Sequence, residues 1–268
     1  MKIPITMFHG LTVGDEKPVD QAYFDGLICI ARELGFESIN YDALDAWMNG
    51  SKGLPPRPIM FDFDHPTKSM RYGVHDVLSD HGYKGNLFVN TGTLETMYSE
   101  PLPPDDEREY MTWEEMAELI DLGWHFGAHT HTHPNLSELY DKDPSGDGLR
   151  EELDTCDGML KKHLGITPRD FAFTGTSWSS MAEELVMSRY RFGRLWIIQS
   201  MYQVDGKPMR YAELVGAEGD DEPDGGPPNA ARYITKNSPR YRLPSMEIQG
   251  LIWKPDAFRR YLEGALET

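Results

Sequence analysis

Residues 112–133, TWEEMAELIDLGWHFGAHTHTH, hold one helix-to-strand unit that ends in a run of histidines. Thr112 and Glu115 match the capping-box pattern, which starts a helix because each side chain accepts a hydrogen bond from a free backbone amide of the first turn. Gly123 ends that helix, and His125–Ala128 reads as a short buried strand. The stretch therefore predicts a helix followed directly by a parallel strand.

The same alternation continues along the chain. Strands are predicted at residues 3–8, 38–40, 59–64, 86–90, 125–128, 171–173 and 194–199, and helices at 20–35, 41–48, 69–81, 112–122 and 149–164. Strands that alternate with crossover helices favour a parallel sheet. No phosphate-cradling glycine loop follows the first strand, so we predict an irregular (β/α) barrel of about seven strands rather than an open sheet. Residues 1–268 form a single predicted domain, with a polar loop or insertion near 203–240.

Composition sets limits on partners. The 268 residues include 44 acidic and 26 basic side chains, which gives a formal net charge of −18. Such a surface repels nucleic acid and anionic lipid, so neither is an expected partner. The first residues contain no long apolar run, so we expect no membrane insertion and a cytoplasmic location; a signal segment trimmed from the chain would place the protein outside the cytoplasm. The oligomeric state is left open.

Two cysteines, Cys29 and Cys156, lie far apart in the sequence. Both are flanked by apolar or helix-like residues. We predict that they are buried free thiols, in keeping with a reducing compartment.

Histidines and aspartates stand at the predicted strand ends. His9 follows the first strand, Asp62 and Asp64 end the strand at 59–64, and the histidines of residues 129–133 follow Ala128. The carboxyl ends of barrel strands are where active sites of this architecture lie. Imidazole and carboxylate are also the ligands that hold a divalent transition metal.

The geometry of residues 129–133 narrows the ligand set. A helix begins after Pro134, so we favour a turn that places His129 and His133 on one face and directs His131 elsewhere. Asp62 and Asp64 share one side of their strand, so one can bind a metal while the other accepts a proton. A carboxylate beside a cation has a lowered pKa, so we expect Asp62 to be ionised. His65 is either a supporting group or a turn residue.

These residues resemble the polysaccharide deacetylases, carbohydrate esterase family 4. Residues 123–136 are similar to the family's second motif, residues 59–64 to its first, and residues 84–89 to one of its core strands. The resemblance implies a deacetylase-type barrel, Asp62 as catalytic base, and Asp64, His129 and His133 as metal ligands. It also implies one divalent metal ion, with Zn²⁺ favoured over Co²⁺, Mn²⁺, Fe²⁺ or Ni²⁺.

The N-terminal histidine resembles one branch of that family. No histidine follows His163, whereas residues 5–9 are similar to an element that circularly permuted exopolysaccharide deacetylases carry at the N-terminus. This resemblance implies that His9 is the general acid. Residues 171–176 resemble a degenerate third motif, which makes the amide near Gly175 a candidate oxyanion donor. Trp178 is a candidate for stacking on a sugar, although core or lid packing is the favoured interpretation.

The predicted activity is metal-dependent removal of an N-acetyl group from an amino sugar in an oligo- or polysaccharide. An O-acetyl esterase, a hydrolase of small N-acyl amides and a catalytically impaired sugar-binding relative are the alternatives on the same fold. Hydrolases with His-x-His on a first barrel strand have a different motif order. Iron oxygenases with two histidines and one carboxylate are built on antiparallel double sheets, which this alternation does not predict.

Overall fold

The computed structural model describes residues 1–12, 16–93 and 110–267. Its strands are β1 (Ile5–Phe8), β2 (Glu37–Ser38), β3 (Pro58–Asp64), β4 (Asn86–Val89), β5 (His125–Ala128), β6 (Asp170–Ala172), β7 (Ser177–Trp178), β8 (Phe192–Ile197), β9 (Met201–Val204), β10 (Lys207–Arg210) and β11 (Leu243–Glu247). Its helices are α1 (Gln21–Glu33), α2 (Tyr41–Met48), α3 (Val74–Asp80), α4 (Trp113–Asp121), α5 (Leu136–Lys142), α6 (Asp147–Leu164), α7 (Ser180–Met187), α8 (Tyr211–Val215) and α9 (Pro255–Leu266), with 3₁₀ turns at Lys68–Met70 and Asn229–Ala231.

Seven parallel strands close into a barrel. Their order is β1-β11-β8-β6-β5-β4-β3, and β3 pairs again with β1; β2 adds to the outer edge of β3. The prediction of an α/β barrel with about seven parallel strands is confirmed. The predicted capping box at Thr112 and Glu115 is also present at the start of α4.

Strand β3 shows how the barrel separates its two cores. Alternate residues of a strand point to opposite faces. Ile59, Phe61 and Phe63 join a large cluster that packs the strands against the surrounding helices. Met60 belongs instead to a smaller cluster of buried residues contributed by several barrel strands, including Ile5, Phe88, Ala172, Phe192 and Leu243. Asp62 and Asp64 share the face of Met60, so their carboxylates point into the barrel interior.

The segment predicted as a polar loop near 203–240 is partly ordered. Strands β9 and β10 form an antiparallel hairpin, and β9 pairs with β7 in a small second sheet. The chain then forms α8 and turns back through Arg232. The Arg232 guanidinium donates hydrogen bonds of 2.7 and 2.6 Å to the two carboxylate oxygens of Asp224. This ion pair, in which Arg232 is buried and Asp224 is exposed, links parts of a segment whose composition alone indicates an exposed loop.

Both cysteines are free, as predicted. Cys156 is buried, whereas Cys29, on α1, is only partly buried. Within the described ranges, every helix is too short or too polar to cross a bilayer.

Candidate metal centre and catalytic groups

The candidate residues meet at the carboxyl-terminal mouth of the barrel. His9 directly follows β1, Asp64 and His65 lie at the end of β3, and His129 and His133 follow β5. Because β3 pairs with β1 and is joined to β5 through β4, these strand ends are neighbours at one rim. The sequence therefore brings side chains more than 50 residues apart to a single place.

Three imidazoles form a cluster at this rim. One potential ligand atom from each of His65, His129 and His133 lies within 4.8 Å of the other two. Their ring centroids are 5.4 Å apart for His65 and His129, 5.0 Å for His65 and His133, and 4.8 Å for His129 and His133. We refer to these three residues as the imidazole cluster.

The backbone of the cluster is in a conformation that non-glycine residues rarely adopt. His65, Thr130 and His133 have φ values of 66°, 64° and 60°. A left-handed backbone at such residues costs on the order of 1–3 kcal/mol each and persists only where the surroundings hold it. Three of the four left-handed non-glycine residues in the described chain therefore lie at this rim, and two of them carry imidazoles of the cluster.

Glu152 of α6 holds the loop that carries two of the imidazoles. Its Oε2 accepts hydrogen bonds from the backbone amides of His131 and Thr132, at 2.9 and 2.7 Å, and its Oε1 accepts from the Thr132 hydroxyl. The loop is also fixed from the other side, where the Gly92 amide donates to the His131 carbonyl at 2.7 Å. These bonds keep His129 and His133 in register.

Hydrogen bonds also set the tautomers of two imidazoles. His129 Nδ1 lies 2.9 Å from the Ala172 carbonyl oxygen, and His65 Nδ1 lies 2.7 Å from Asn90 Oδ1. Both oxygens only accept, so each Nδ1 carries the proton and each Nε2 keeps a lone pair. A metal-binding histidine is usually fixed through its other nitrogen in this way.

The imidazoles are held neutral. Burial is the main cause that lowers the pKa of His65 to about 4 and the pKa of His129 well below its usual value, and burial also lowers the pKa of His133. Metal binding requires deprotonated imidazoles, and three nitrogen donors suit Zn²⁺ and neighbouring divalent transition metals. The residues present therefore fit such an ion.

Asp64 takes a place beside the cluster. Its Oδ2 lies 3.8 Å from His129 Nε2, and its Oδ1 accepts a hydrogen bond from Arg194. It is not in the set of ligand atoms that lie within 4.8 Å of one another, in which His65 is the third member, and the ligand role predicted for Asp64 stays a prediction. Burial raises the pKa of Asp64, but Arg194 and His129 outweigh it and lower the pKa, so the carboxylate is ionised.

Asp62 lies deeper inside the barrel than Asp64, which follows it by two residues on β3. It is fully buried, and its two oxygens accept hydrogen bonds from the Tyr41 hydroxyl at 2.6 Å and from Asn86 Nδ2 at 2.9 Å. Burial raises its pKa to about 6, against the opposing effect of Arg194 3.5 Å away. Without a metal ion, the pKa of Asp62 is thus raised rather than lowered. Both of its oxygens accept hydrogen bonds from groups inside the barrel, and its role as the base stays a prediction.

His9 is paired with a buried carboxylate. Its Nδ1 lies 3.3 Å from Glu247 Oε2, at the end of β11, and Trp196 Nε1 donates a 2.6 Å hydrogen bond to the same oxygen. Burial lowers the pKa of His9, but the charge of Glu247 more than compensates, so the pKa is raised. The His9 ring stacks at 5.4 Å on the His65 ring. An imidazole with a raised pKa thus stands next to the cluster.

The other predicted contacts to substrate differ in outcome. Trp178 is buried, and its indole donates to Glu183 at 3.1 Å while Arg242 lies 4.8 Å over its ring. It packs in the core, so the stacking prediction is wrong. Gly175 occupies a tight turn with φ of 58°, and its role as an oxyanion donor stays a prediction.

A cleft of about 490 Å³ opens beside the loop after β5. His131 and Thr132 line one side, and Pro134, Leu139 and Glu152 are among the other lining residues. His131 is directed away from the cluster, with its Nδ1 3.0 Å from the Thr91 hydroxyl, as we predicted from the turn.

Sequence reasoning missed three groups at the mouth. Arg194 and Glu247 lie within β8 and β11 and are fully or almost fully buried. A charged residue inside an otherwise apolar strand requires a partner, and this was the available signal for Arg194. Glu152 has no comparable signal, because an exposed helix contains many acidic residues.

The fold and the site define an α/β barrel protein whose reactive groups gather at the carboxyl ends of its strands. The sequence profile described as polysaccharide deacetylase matches residues 51–189, a little more than half of the chain. The chain belongs to the polysaccharide deacetylase family. Family membership supports an enzyme that deacetylates a polysaccharide.

Solved structures share the fold at low sequence identity. Streptococcus pyogenes deacetylase PplD in complex with acetate is similar with a TM-score of 0.71 and 16% identity, covering 100% of this chain and 99% of that one. IcaB from Ammonifex degensii gives 0.69 and 14%, covering 99% and 97%, and the BpsB deacetylase domain from Bordetella bronchiseptica gives 0.63 and 16%, covering 92% and 95%. A search of curated protein sequences found no match.

Proposed function

We propose that this protein is a metal-dependent deacetylase that removes N-acetyl groups from amino sugars of an oligo- or polysaccharide. One observation carries the proposal: three neutral imidazoles and an ionised carboxylate share one rim of a polysaccharide deacetylase barrel. An O-acetyl ester or a small N-acyl amide is the alternative substrate, and the cytoplasmic location stays a prediction.

The imidazole cluster would hold the metal. His65, His129 and His133 supply nitrogen donors, which differs from the set of Asp64, His129 and His133 predicted from the sequence. A divalent ion bound there supplies Lewis-acid stabilisation of negative charge and lowers the pKa of water. Three neutral donors leave the full charge of the ion available for that purpose, which a carboxylate ligand would partly cancel.

Asp64 is the proposed general base. Its Oδ2 faces the cluster, while Arg194 binds Oδ1 and fixes the orientation of the carboxylate. In hydrolysis, a water oxygen adds to the acetyl carbon and passes one proton to Asp64. Its lowered pKa keeps Asp64 ready to accept that proton at neutral pH.

His9 is the proposed general acid. When the bond between the acetyl carbon and nitrogen breaks, the nitrogen takes a proton from His9 and leaves as an amine, and acetate is the other product. Glu247 favours the protonated imidazole before the reaction. An amide requires this assistance more than an ester does, because an unprotonated amide nitrogen is a poor leaving group. The paired His9 is therefore our reason for favouring N-acetyl over O-acetyl substrates.

Acetate release tests the activity. The protein, purified without chelator and with its metal content measured, is incubated with N-acetylglucosamine oligomers, O-acetylated xylan oligomers and N-acetylated amino acids. We expect acetate from the N-acetylated sugars, and loss of activity after chelation with recovery on adding Zn²⁺. Acetate from the esters or amino acids alone would select an alternative substrate. A metal-loaded protein that releases none would be a sugar-binding relative.

Paired variants test the ligand set. We expect His65→Ala to lower metal content well below one equivalent and Asp64→Asn to keep it, because only the first side chain belongs to the cluster. His131→Ala is the matched control in the same loop and should retain the metal. Metal retained in His65→Ala and lost in Asp64→Asn would restore the ligand set predicted from the sequence.

A further inference from the structure

A second group of metal-binding side chains lies outside the barrel. Asp25 and Cys29 are four residues apart on α1, so they lie on the same face one turn apart. His81 caps the carboxyl end of α3, which packs against α1. One potential ligand atom from each of these three residues lies within 4.8 Å of the other two.

The distances fit a tetrahedral ion. His81 Nε2 lies 2.8 Å from Asp25 Oδ1 and 3.8 Å from Cys29 Sγ, and Cys29 Sγ lies 4.0 Å from Asp25 Oδ2. Donors bound tetrahedrally to Zn²⁺ are separated by about 3.3–3.6 Å, from the usual zinc–ligand distances. The two Asp25 distances involve different oxygens, so binding one ion through a single oxygen requires rotation of that carboxylate together with shifts of Cys29 and His81.

The surroundings of these three side chains carry negative charge and are open to solvent. The carboxylates of Asp25 and Glu33 act on Cys29 through their charge, so this surface has a negative potential at the sulfur. The same potential stabilises a dication, whose charge would in turn favour the thiolate. The side chains of His81 and Asp25 are 17% and 48% exposed, so solvent reaches the group.

We propose that Asp25, Cys29 and His81 form a second metal site that binds zinc, with solvent at the fourth position, and that links α1 to α3. The sulfur ligand separates this site chemically from the imidazole cluster, which offers only nitrogen. The proposal does not depend on the deacetylase activity, because none of the three residues belongs to the barrel mouth.

Cobalt titration tests the site by spectroscopy. Chelated and reduced full-length protein is titrated with CoCl₂. We expect two equivalents bound and a near-ultraviolet band of thiolate-to-cobalt charge transfer. Cys29→Ser should lose the band and bind one equivalent. Cys156→Ala, which removes the buried cysteine, is the matched control and should keep both. Absence of the band from the wild-type protein, or its loss in Cys156→Ala only, would overturn the proposal.

Thermal unfolding gives a second measure. In a His133→Ala background, which disables the barrel site, ZnCl₂ should raise the unfolding midpoint. The same background with Cys29→Ser should show no such rise. Equal rises in the two proteins would refute a link between α1 and α3 through this site. Both measurements remain informative if the protein releases no acetate, so failure of the proposed activity is distinguishable from failure of this site.

Discussion

Two aspartates on one strand show how different two neighbouring layers of the barrel are. Asp64, in the upper layer, stands beside the imidazole cluster with a lowered pKa, whereas Asp62, one layer below, has a pKa raised to about 6. Both are buried, and both lie near the Arg194 guanidinium. The difference arises from their partners: Asp64 has Arg194 and His129, while Asp62 is bound chiefly by the neutral Tyr41 and Asn86.

The two layers differ in which of their groups remain free to react. The upper layer contains groups whose hydrogen bonds leave a lone pair or a proton free to react. In the lower layer, Asp62 accepts hydrogen bonds from Tyr41 and Asn86 inside the barrel, and its Oδ2 lies 3.5 Å from Arg194 Nε. Within the described chain, Arg194 Nε and Nη1 have no hydrogen-bond partner, so its two carboxylates must balance the buried charge.

The largest expected effect comes from changing the two aspartates themselves. Asp64→Asn should lower kcat by roughly 10²–10⁴-fold, because the general base is lost while the shape is kept. Asp62→Asn should lower kcat by less than about tenfold in the folded protein, since Asp62 does not reach the substrate. Steady-state kinetics on metal-loaded protein measures both. Equal losses in the two variants would return the base role to Asp62.

Removal of the Arg194 guanidinium, which lies near both aspartates, is the next test. Arg194→Met should destabilise the protein by about 3–5 kcal/mol, because two carboxylates are left buried without their partner. Denaturant unfolding measures the change. Arg150→Met, which breaks an exposed pair with Asp147, is the control and should change stability by less than about 0.5 kcal/mol. A small effect at Arg194 would mean that the layers do not depend on it.

The hydrogen bonds that Glu152 accepts from the loop after β5, here called the loop clamp, predict a smaller change. Glu152→Gln should weaken metal affinity by about 10–100-fold, because the loop that positions His129 and His133 loses its anionic acceptor. Competition with a chromogenic chelator measures the affinity. The neighbouring Glu151→Gln is the control, as none of the described loop amides binds it, and equal affinities in the two variants would contradict the clamp.

The smallest expected effect is at Asp157, a third carboxylate whose pKa is raised by burial like that of Asp62. Burial raises the pKa of Asp157 to about 6, although Tyr190 and Arg189 oppose it. A raised pKa favours the protonated form in the folded state, so stability falls as the pH rises from about 4 to above 6. Asp157→Asn should therefore gain about 1 kcal/mol relative to the wild type at pH 7.5 and nothing at pH 4. Denaturant unfolding at the two values measures the difference; a gain independent of pH would contradict burial as its cause.

The sequence predicts the barrel well because its signals are local. Alternation, the capping box at Thr112 and the glycine after α4 each act within a few residues. The pair His129 and His133 is predicted for the same reason, since a turn before α5 brings them together.

The position of His65 beside His129 and His133, from which we propose that it replaces Asp64 as a ligand, could not be predicted from the same rules. Strand alternation places Asp62 and Asp64 on the inner face, but it ends where His65 adopts a left-handed backbone, which turns its imidazole inward. A left-handed histidine is too rare to predict from sequence. Glu247 and Arg194 were missed because their roles depend on strand pairings between distant parts of the chain.

The pairing of β1 with both β3 and β11 bears on how the protein is made. A ribosome delivers His9 long before Glu247, with His65, His129 and His133 in between. Every residue of the imidazole cluster thus precedes in the sequence the carboxylate that pairs with His9. Strand β11 lies between β1 and β8, so the same late strand closes the barrel and brings Glu247 to His9. Closure of the barrel and the pairing of His9 therefore depend on the same piece of chain.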